Sequence, residues 1–290
     1  MLEYSVQVVQ CSNCEHIYSQ IRTDINYDQF YSEGKYVLQD NRGSFFDRVI
    51  QFNNRLIGKK VLKFTPNKER ILDFGCGKGQ FLFYFKSKSW KAVGVETSQG
   101  RAEFARREYE LEIHEDFYEN GQIADGDYAV ITLFHVLEHL PNPEGLLENL
   151  VRHNLNKNGL IVFEVPLIES WQSKIAAHRW IHLDPPIHLS HYSRGSLFQL
   201  IGKLRLTPIR VSTFSAPLGI LGMCQSLLSR LGYRGKIIED LKFNRTSKLL
   251  VSLVFVFPLA VTLEFFAVLF KKGGIIRVYC KNTLSEISND

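Results

Sequence analysis

Three glycines and an acidic residue are spaced in this sequence as they would be around a bound nucleotide. Gly75, Gly77 and Gly79 alternate directly after a short apolar run, and further apolar residues follow them. Glycine lets the backbone turn tightly and approach a ligand closely, with the amide groups of the next helix pointing at it. Glu96 comes nineteen residues after Gly77, at the end of a second strand-like segment, where an acid can hold a ribose diol. Position 80 is Gln instead of the last glycine of a dinucleotide fingerprint, so the pattern disfavours a NAD site.

Histidines form the second group of residues that could do chemistry. A neutral imidazole can accept a proton near pH 7, as a general base must. His135 and His139 follow the predicted fourth strand, and residues 171–191 hold four more histidines beside Trp180 and Asp184. Such an aromatic, titratable segment after a strand is typical of a lid or a substrate pocket. Metal binding is the rival interpretation, but no helical histidine pair with a glutamate stands out, so we predict no metal.

Strand-like and helix-like segments alternate around these residues, which predicts a doubly wound α/β sheet. The predicted strands cover 71–74, 91–96, 111–113, 127–133, 160–165, 209–214 and 275–280. The predicted helices cover 44–63, 80–86, 97–110, 144–153 and 193–204, with a turn at 156–159.

Two stretches resemble the class I S-adenosylmethionine-dependent methyltransferases that act on small molecules. They are residues 72–79, Leu-Asp-Phe-Gly-Cys-Gly-Lys-Gly, and residues 134–143 at the exit of the fourth strand. The resemblance extends over roughly residues 25–282. It implies a Rossmann-like, mostly parallel seven-stranded sheet with an antiparallel last strand, plus helical additions. It also implies S-adenosyl-L-methionine as the cofactor. For the helix over 44–63, the resemblance implies a cover that lies across the cofactor, and simple packing on the sheet edge is the alternative.

The resemblance assigns roles to individual residues. The cofactor-binding residues it implies are Asp73, Gly75, Gly77, Gly79, Glu96, Thr97, Asp116, Phe117 and His135. Asp73 and the glycines would shape the methionine end, Glu96 the ribose, and Asp116 with Phe117 the adenine. A plain turn acid is the alternative for Asp116. His188 is the first candidate for a catalytic base and His135 the second. The expected substrate pocket consists of His139, Trp180, His182 and Asp184.

The expected reaction is O- or C-methylation of a small molecule, such as a glycan precursor, a lipid or a quinone-like acceptor. An RNA methyltransferase and a non-catalytic scaffold that keeps the fold are the alternatives. The net charge is +5, from 35 basic and 30 acidic residues. This mild excess suits an anionic substrate or an acidic membrane surface, and without a basic cluster it predicts no nucleic acid. Five cysteines form no disulfide framework, which predicts a reducing, cytoplasmic setting.

We predict three parts in the chain: an N-terminal extension over 1–40, a methyltransferase domain over 41–215 and 273–284, and an apolar helical insertion over 216–272. The extension contains Cys11 and Cys14. Two thiolates at this spacing can fill half of a tetrahedral zinc site, and relatives carry a ribbon with two such pairs. We predict a zinc-ribbon remnant that forms a turn and binds no zinc.

Residues 249–270 are apolar except for Glu264, and basic residues flank them. Their length suffices to cross a membrane. Glu264 would cost roughly 2 to 3 kcal/mol in hydrocarbon, Pro258 divides the run, and the last strand must return to its sheet. We therefore predict peripheral membrane contact through 249–272, with a helix or broken hairpin in one leaflet. A buried helix that covers the sheet is the alternative. The oligomeric state is not predicted.

Overall fold

The computed structural model describes residues 6–21, 42–67, 69–115, 123 and 126–283. The chain divides into two units. The helical unit comprises residues 1–22, 165–196 and 212–277, and the sheet unit comprises 23–164, 197–211 and 278–290. Segment 165–196 therefore groups with the apolar helices and the N-terminal residues, whereas the predicted boundaries had placed it in the methyltransferase domain.

The main sheet has seven strands in the order β5-β4-β3-β6-β7-β10-β9. The strands are β3 (Arg70–Phe74), β4 (Lys91–Val95), β5 (Glu112–His114), β6 (Tyr128–Phe134), β7 (Leu155–Pro166), β9 (Leu206–Ser212) and β10 (Ile275–Asn282). The β3, β4, β5, β6 and β7 neighbours pair in parallel, and the last strands are antiparallel. The predicted fold class is confirmed.

Among its described residues, the sheet unit contains the helices α1 (Phe45–Phe64), α2 (Gln80–Lys86), α3 (Gln99–Tyr109) and α4 (Pro143–His153), and from Leu197 onward α6 (Arg194–Lys203). Ile57 and Val61 of α1 are buried in the same apolar cluster as Phe81 and Phe85 of α2. The helix predicted over 44–63 thus uses its apolar stripe for packing.

The turn predicted at 156–159 is instead an irregular part of β7. Tyr128 pairs with Leu155 and Val130 pairs with Leu160, so four residues of β7 bulge out between two pairs. Lys281 fixes this bulge, because its Nζ donates to the carbonyl oxygen of Asn158 at 2.9 Å. A bulge keeps the strand paired at both ends, which local sequence signals for a turn do not distinguish.

In the part that the structure describes, the helical unit contains a three-stranded sheet and four α-helices. Its strands are β1 (Val6–Gln10), β2 (Ile17–Ile21) and β8 (Ser190–His191). Its helices are α5 (Trp171–Ala176), α7 (Ala216–Arg230), α8 (Ile237–Phe243) and α9 (Ser247–Leu269). Cys11 and Cys14 lie in the turn between β1 and β2. Among the described residues, no third metal-binding side chain joins these two thiols.

Helix α9 is continuous through Pro258, so of the two predicted forms the structure has the helix and not the broken hairpin. It is long and apolar enough to cross a membrane by length and composition, but only 22% of its most apolar window is buried. Glu264 is buried on the protein side of this helix. Its Oε2 accepts a hydrogen bond from Gln172 Nε2 at 2.9 Å, and its Oε1 accepts one from the Gly274 amide at 3.2 Å.

Replacing Gln172 by Ala should destabilise the protein by about 2 to 4 kcal/mol, because it leaves a buried carboxylate oxygen without its donor. The Gly219 carbonyl, which also accepts from Gln172, would lose its donor too. Gln99→Ala is the matched control, since its amide bonds an exposed glutamate, Glu103, and should cost about 0.5 kcal/mol or less. Urea unfolding of both variants measures the difference, and equal costs would contradict the buried network.

Candidate functional site

The corner between β3 and α2 carries the three alternating glycines. Gly75, Gly77 and Gly79 all have positive φ, at 74°, 55° and 73°. The amides of Gly75 and Cys76 both donate to the carbonyl oxygen of Val95, at 2.8 and 3.0 Å. These two bonds hold the corner against the end of β4, and Glu96 is the residue directly after β4.

Glu96 points into this corner. Its Oε2 accepts a hydrogen bond from the Gly77 amide at 2.8 Å, and its Oε1 accepts one from the Ser98 amide at 2.8 Å. A carboxylate oxygen can accept more than one hydrogen bond, so each oxygen retains capacity for a hydroxyl donor. The side chain is thus fixed by the backbone in a position from which it can accept bonds from a ribose diol.

The glycines differ in what surrounds them. A Cβ added at Gly77 would meet no heavy atom within 4 Å, so the space beside this residue is open. A Cβ at Gly79 would lie 2.5 Å from Leu111 Cδ1 and 3.0 Å from Ala105 Cβ. Gly79 is therefore required by packing. Gly77 leaves a cradle that a ligand can fill, and together with the acid of Glu96 it fits an adenosyl group.

Asp73 is buried directly before the corner. Burial raises the pKa of its carboxyl to about 7, although the hydroxyl of Thr132, which donates to Oδ1 at 2.5 Å, acts in the opposite direction. The negative charge of Glu96 also raises this pKa. A carboxyl that titrates near neutrality beside a ligand cradle is typical of functional sites.

His135 lies between two buried carboxylates at the exit of β6. Its Nδ1 is 3.2 Å from Glu138 Oε1 and its Nε2 is 3.0 Å from Glu164 Oε1. Burial alone would lower the pKa of His135, but the hydrogen bonds and charges of the two glutamates outweigh it and raise the pKa to about 10. His135 is therefore an imidazolium at neutral pH, and it has no lone pair with which to act as the base that the sequence allowed.

Val136, the next residue, packs against the glycine corner. Its Cγ2 lies 2.6 Å from where a Cβ at Gly75 would stand. Because β3 and β6 are adjacent parallel strands, their carboxyl ends open at the same edge of the sheet. The structure thus brings Asp73, the glycines, Glu96 and His135 to one edge, as the sequence predicted.

The other residues predicted to contact the cofactor or the substrate do not contribute to the geometry of this corner among the described residues. Thr97 is exposed in the bend after Glu96, and Asp116 and Phe117 lie outside the described residues. His139 ends a short 3₁₀ helix, Leu137–His139, after β6.

His188, the first candidate base, belongs to the helical unit and is buried there. Its Nδ1 is 2.7 Å from the carbonyl oxygen of His182, so Nδ1 carries the proton and Nε2 is the basic nitrogen of the neutral ring. Ser19 donates to the His188 carbonyl at 2.8 Å, which fixes the backbone of this residue.

Trp180 and Asp184 line a cavity of about 280 Å³ within the helical unit. Asp184 forms an ion pair with Lys236 at 3.2 Å. The rings of Trp180 and His182 meet edge to face, with their centroids 5.3 Å apart. The indole Nε1 of Trp180 is buried and has no hydrogen-bond partner among the described residues, so a polar ligand atom could satisfy it.

The role of one carboxylate near the corner, that of Asp47, was not predicted. Asp47 of α1 is buried, and its Oδ1 accepts a hydrogen bond from Gln80 Nε2 at 2.7 Å. Its Oδ2 accepts from the Gly43 amide at 3.0 Å and from Gln51 at 2.8 Å. Gln80, the residue that breaks the dinucleotide pattern, therefore ties α1 to the start of α2. Ser44, which caps α1, is the signal in the sequence that places Asp47 in the first turn.

A larger cavity, of about 740 Å³, lies at the other edge of the sheet. Its lining includes Leu155, the first residue of β7, and basic residues of α4 and α6. Ligands of parallel sheets bind beyond the carboxyl ends of the strands, and this cavity is at an amino end. We assign it no part in the chemistry.

The family described as "Methyltransferase domain" matches residues 47–207, more than half of the chain, and the match spans the whole corner. The chain belongs to this methyltransferase family. Its membership confirms the methyltransferase activity and the S-adenosylmethionine cofactor predicted from the sequence. The match begins after the Cys11–Cys14 hairpin and lends no support to a zinc-ribbon remnant. No curated protein matches the chain by sequence.

Solved structures of other proteins share the fold of this methyltransferase at low identity. Coclaurine N-methyltransferase, solved with N-methylheliamine and SAH, is 15% identical with a TM-score of 0.50, over 84% of this chain and 75% of its own. A SAM-dependent methyltransferase from Thermotoga maritima is 18% identical with a TM-score of 0.52, over 83% and 93%. The cyclase SpnF is 16% identical with a TM-score of 0.52, over 84% and 85%. Such likeness concerns the fold alone, and the cyclase illustrates that a fold does not fix a reaction.

Gly77→Ala should weaken cofactor binding by the methyltransferase at least tenfold, because the added methyl fills the cradle. Its cost in stability should be about 1 to 2 kcal/mol from the positive φ. Gly79→Ala carries the same backbone strain plus overpacking against Leu111, so it should cost about 1 to 3 kcal/mol more. Calorimetry with S-adenosylhomocysteine and urea unfolding separate the two effects. Unchanged binding by Gly77→Ala would contradict the cradle.

Glu96→Ala should lower cofactor affinity several-fold or more, because the ribose acceptor is lost. Glu112→Ala, at an exposed acid on the neighbouring strand β5, is the control and should bind as the wild type does. Calorimetric titration measures both dissociation constants, and thermal unfolding checks that each variant is folded. Equal constants for Glu96→Ala and the wild type would argue against its role.

Asp73 should make stability depend on pH in the absence of cofactor. Its pKa rises from a usual 3.8 to about 7 on folding, so the folded state holds the proton more tightly. This contribution to stability is present at low pH and is lost as the pH rises toward 7. Between pH 5 and pH 8, Asp73→Asn should gain about 2 to 3 kcal/mol relative to the wild type. Urea unfolding at both pH values tests this, and a pH-independent difference would be inconsistent with a protonated Asp73.

Proposed function

We propose that this methyltransferase transfers a methyl group from S-adenosylmethionine to an oxygen or carbon atom of a small molecule. The acceptor classes we propose are a glycan precursor, a lipid and a quinone-like compound, in a cytoplasmic setting. The observation that carries the proposal is the open cradle at Gly77 with the Glu96 carboxylate turned into it.

S-adenosylmethionine, when bound, supplies a methyl group on a sulfonium, which an acceptor can take by in-line displacement. Glu96 would hold the ribose, and the glycine corner would admit the cofactor close to the backbone. Because the leaving group is already activated, the protein has mainly to align the acceptor and exclude water.

The acidic side chains around His135 at the exit of β6 bear on the methyl donor and on the source of a base. Two acidic side chains, Glu138 and Glu164, lie against His135 at this exit, at 3.2 and 3.0 Å. Acidic groups at the edge where the methyl group is delivered favour a cationic donor such as a sulfonium. They also mean that His135 orients its neighbours and donates hydrogen bonds but takes no proton.

A hydroxyl acceptor then needs a base from another residue, and we propose His188 Nε2. Its Nδ1 is held by the His182 carbonyl, so the neutral tautomer presents a basic Nε2. An acceptor that ionises by itself, such as a phenol, or a carbon acceptor needs less help. We propose that Trp180, His182, Asp184 and His139 contact the acceptor.

The two other functions have weaker support. An RNA methyltransferase would require a basic surface, whereas the net charge is only +5. A scaffold without activity is at odds with the methyltransferase activity that the family match supports. Neither alternative is favoured by a specific observation.

The test is incubation of the full-length protein with S-adenosylmethionine labelled on the methyl group and with fractionated extract. We expect label in the lipid or the soluble small-molecule and glycan fraction, extractable after protease and nuclease treatment. The Gly77→Ala variant serves as the matched control and should transfer little label.

Label in a nuclease-sensitive fraction would overturn the proposal in favour of RNA methylation. Cofactor binding with no transfer to any fraction would favour the scaffold. Label in protein would refute a small-molecule acceptor.

A further inference from the structure

The outward side of α9 is apolar along its whole length. Its residues recur at three- and four-residue spacing, as one face of a helix requires. Val254 and Phe255 are 69% and 76% exposed. We call this face the outer face of α9. It comprises Val251, Val254, Phe255, Phe265, Leu269 and Phe270, the residue that follows the helix. Soluble surfaces rarely expose a contiguous apolar patch of this extent without a binding partner.

The opposite side of α9 is packed within the helical unit. Val256, Ala260 and Ala267 are buried in one cluster with Met223 and Cys224 of α7. Glu264 lies on this packed side, where Gln172 and the Gly274 amide satisfy it. The carboxylate that would oppose contact with hydrocarbon is therefore turned away from the outer face.

Polar groups elsewhere along α9 are satisfied within the helix. The hydroxyl of Ser252 donates to the Lys248 carbonyl at 2.8 Å, and that of Thr262 donates to the Pro258 carbonyl at 2.9 Å. Serine and threonine in apolar surroundings use this bond to their own backbone. Between Lys248 and Lys271 the sequence has no ionisable residue other than Glu264.

Basic residues stand at both ends of α9. Arg245 and Lys248 lie at its start, and Lys271 and Lys272 follow its end. Lys272 forms an ion pair with Glu169 at 3.2 Å, whereas Lys271 is exposed. Positive charge therefore lies on both sides of the apolar middle of α9.

This charge distribution discriminates between occupants of the outer face. A second copy of the chain, pairing α9 with α9 in either direction, would bring basic ends together, and like charges oppose such a contact. An anionic lipid surface offers hydrocarbon for the apolar middle and negative headgroups for both ends. We propose that the outer face of α9 inserts into one leaflet of a membrane that contains anionic lipids.

The contacts of α9 with α5 and α7 determine how the helix would lie relative to the membrane. The helix is packed along its length on α7, and the Lys272 carbonyl directly after it accepts from the Trp171 amide of α5. Strand β10 begins at Ile275, six residues after Leu269, the last residue of α9. A crossing helix would draw α5 and α7 into the hydrocarbon, so α9 lies in the membrane plane. Binding in this way does not depend on the identity of the methyl acceptor.

Flotation of the full-length protein with vesicles tests the proposal. We expect it to float with phosphatidylcholine vesicles that contain phosphatidylglycerol, and less with phosphatidylcholine alone or at high salt. Phe255→Glu should lower the bound fraction at least tenfold on the mixed vesicles. Phe52→Glu, which places the same charge at an exposed phenylalanine of α1, is the matched control and should float as the wild type does.

Glutamate is a better helix former than phenylalanine, so Phe255→Glu should fold, and cofactor binding equal to that of the wild type verifies this. Equal flotation of the two variants would overturn the proposal. A wild-type dimer in light scattering that Phe255→Glu dissociates, with no flotation of either protein, would also overturn it, in favour of self-association.

A tryptophan at position 255 gives a second readout. Phe255→Trp should show fluorescence that is quenched by lipids brominated on the acyl chain, and Phe52→Trp should add no quenched component. Bound protein in which position 255 is not quenched would refute insertion, because the lipid contact would then be made by another surface.

Discussion

The hydrogen bond from the Gly77 amide to the Glu96 carboxylate is the interaction on which the site depends. A bond to a charged acceptor is stronger than one between neutral groups, and this one joins the end of β4 to the turn after β3. It fixes the Glu96 carboxylate beside Gly77. Of the three glycines Gly75, Gly77 and Gly79, Gly77 is the one at which an added Cβ would meet no heavy atom within 4 Å. The turn and the acid thus form one rigid unit that can receive a ribose.

A second constraint lies one strand away, where two buried carboxylates share one imidazolium. Glu138 and Glu164 would be costly to bury without His135, because an unpaired buried charge destabilises a protein strongly. His135 itself has a φ of +56°, an uncommon conformation for a residue with a side chain. The local backbone strain is tolerated where the ion pairs over-determine the position, which is typical of functional sites. The same pairing removes His135 from proton transfer at neutral pH.

The elements that position the site follow from local sequence. Apolar runs ended by glycine or by an acid located β3, β4 and β6 within one or two residues, and alternation with helices predicted the parallel sheet. Glu138 and Glu164 were missed because they act on His135 from positions 3 and 29 residues away, and only the second distance requires the tertiary fold. The bulge in β7 was missed because asparagine and glycine signal a turn whether or not the flanking residues stay paired.

For the apolar run 249–270, the sequence did not predict which residues face the protein. Pro258 and Glu264 left both a helix and a broken hairpin open, whereas the structure has one continuous helix, in which Gln172, 92 residues away in the sequence, donates a hydrogen bond to Glu264. The side of a helix that a residue occupies follows from the periodicity, but which side faces protein depends on what packs there. The grouping of 165–196 with these helices has the same origin, since contacts between distant segments decide it.

The most direct measurement is a crystal structure of the full-length protein with S-adenosylhomocysteine. The account predicts an adenosyl group over Gly77, with its ribose hydroxyls donating to the Glu96 carboxylate and the backbone bond from Gly77 to Glu96 retained. Density for the ligand elsewhere, or a Glu96 side chain turned away from the ribose, would contradict it.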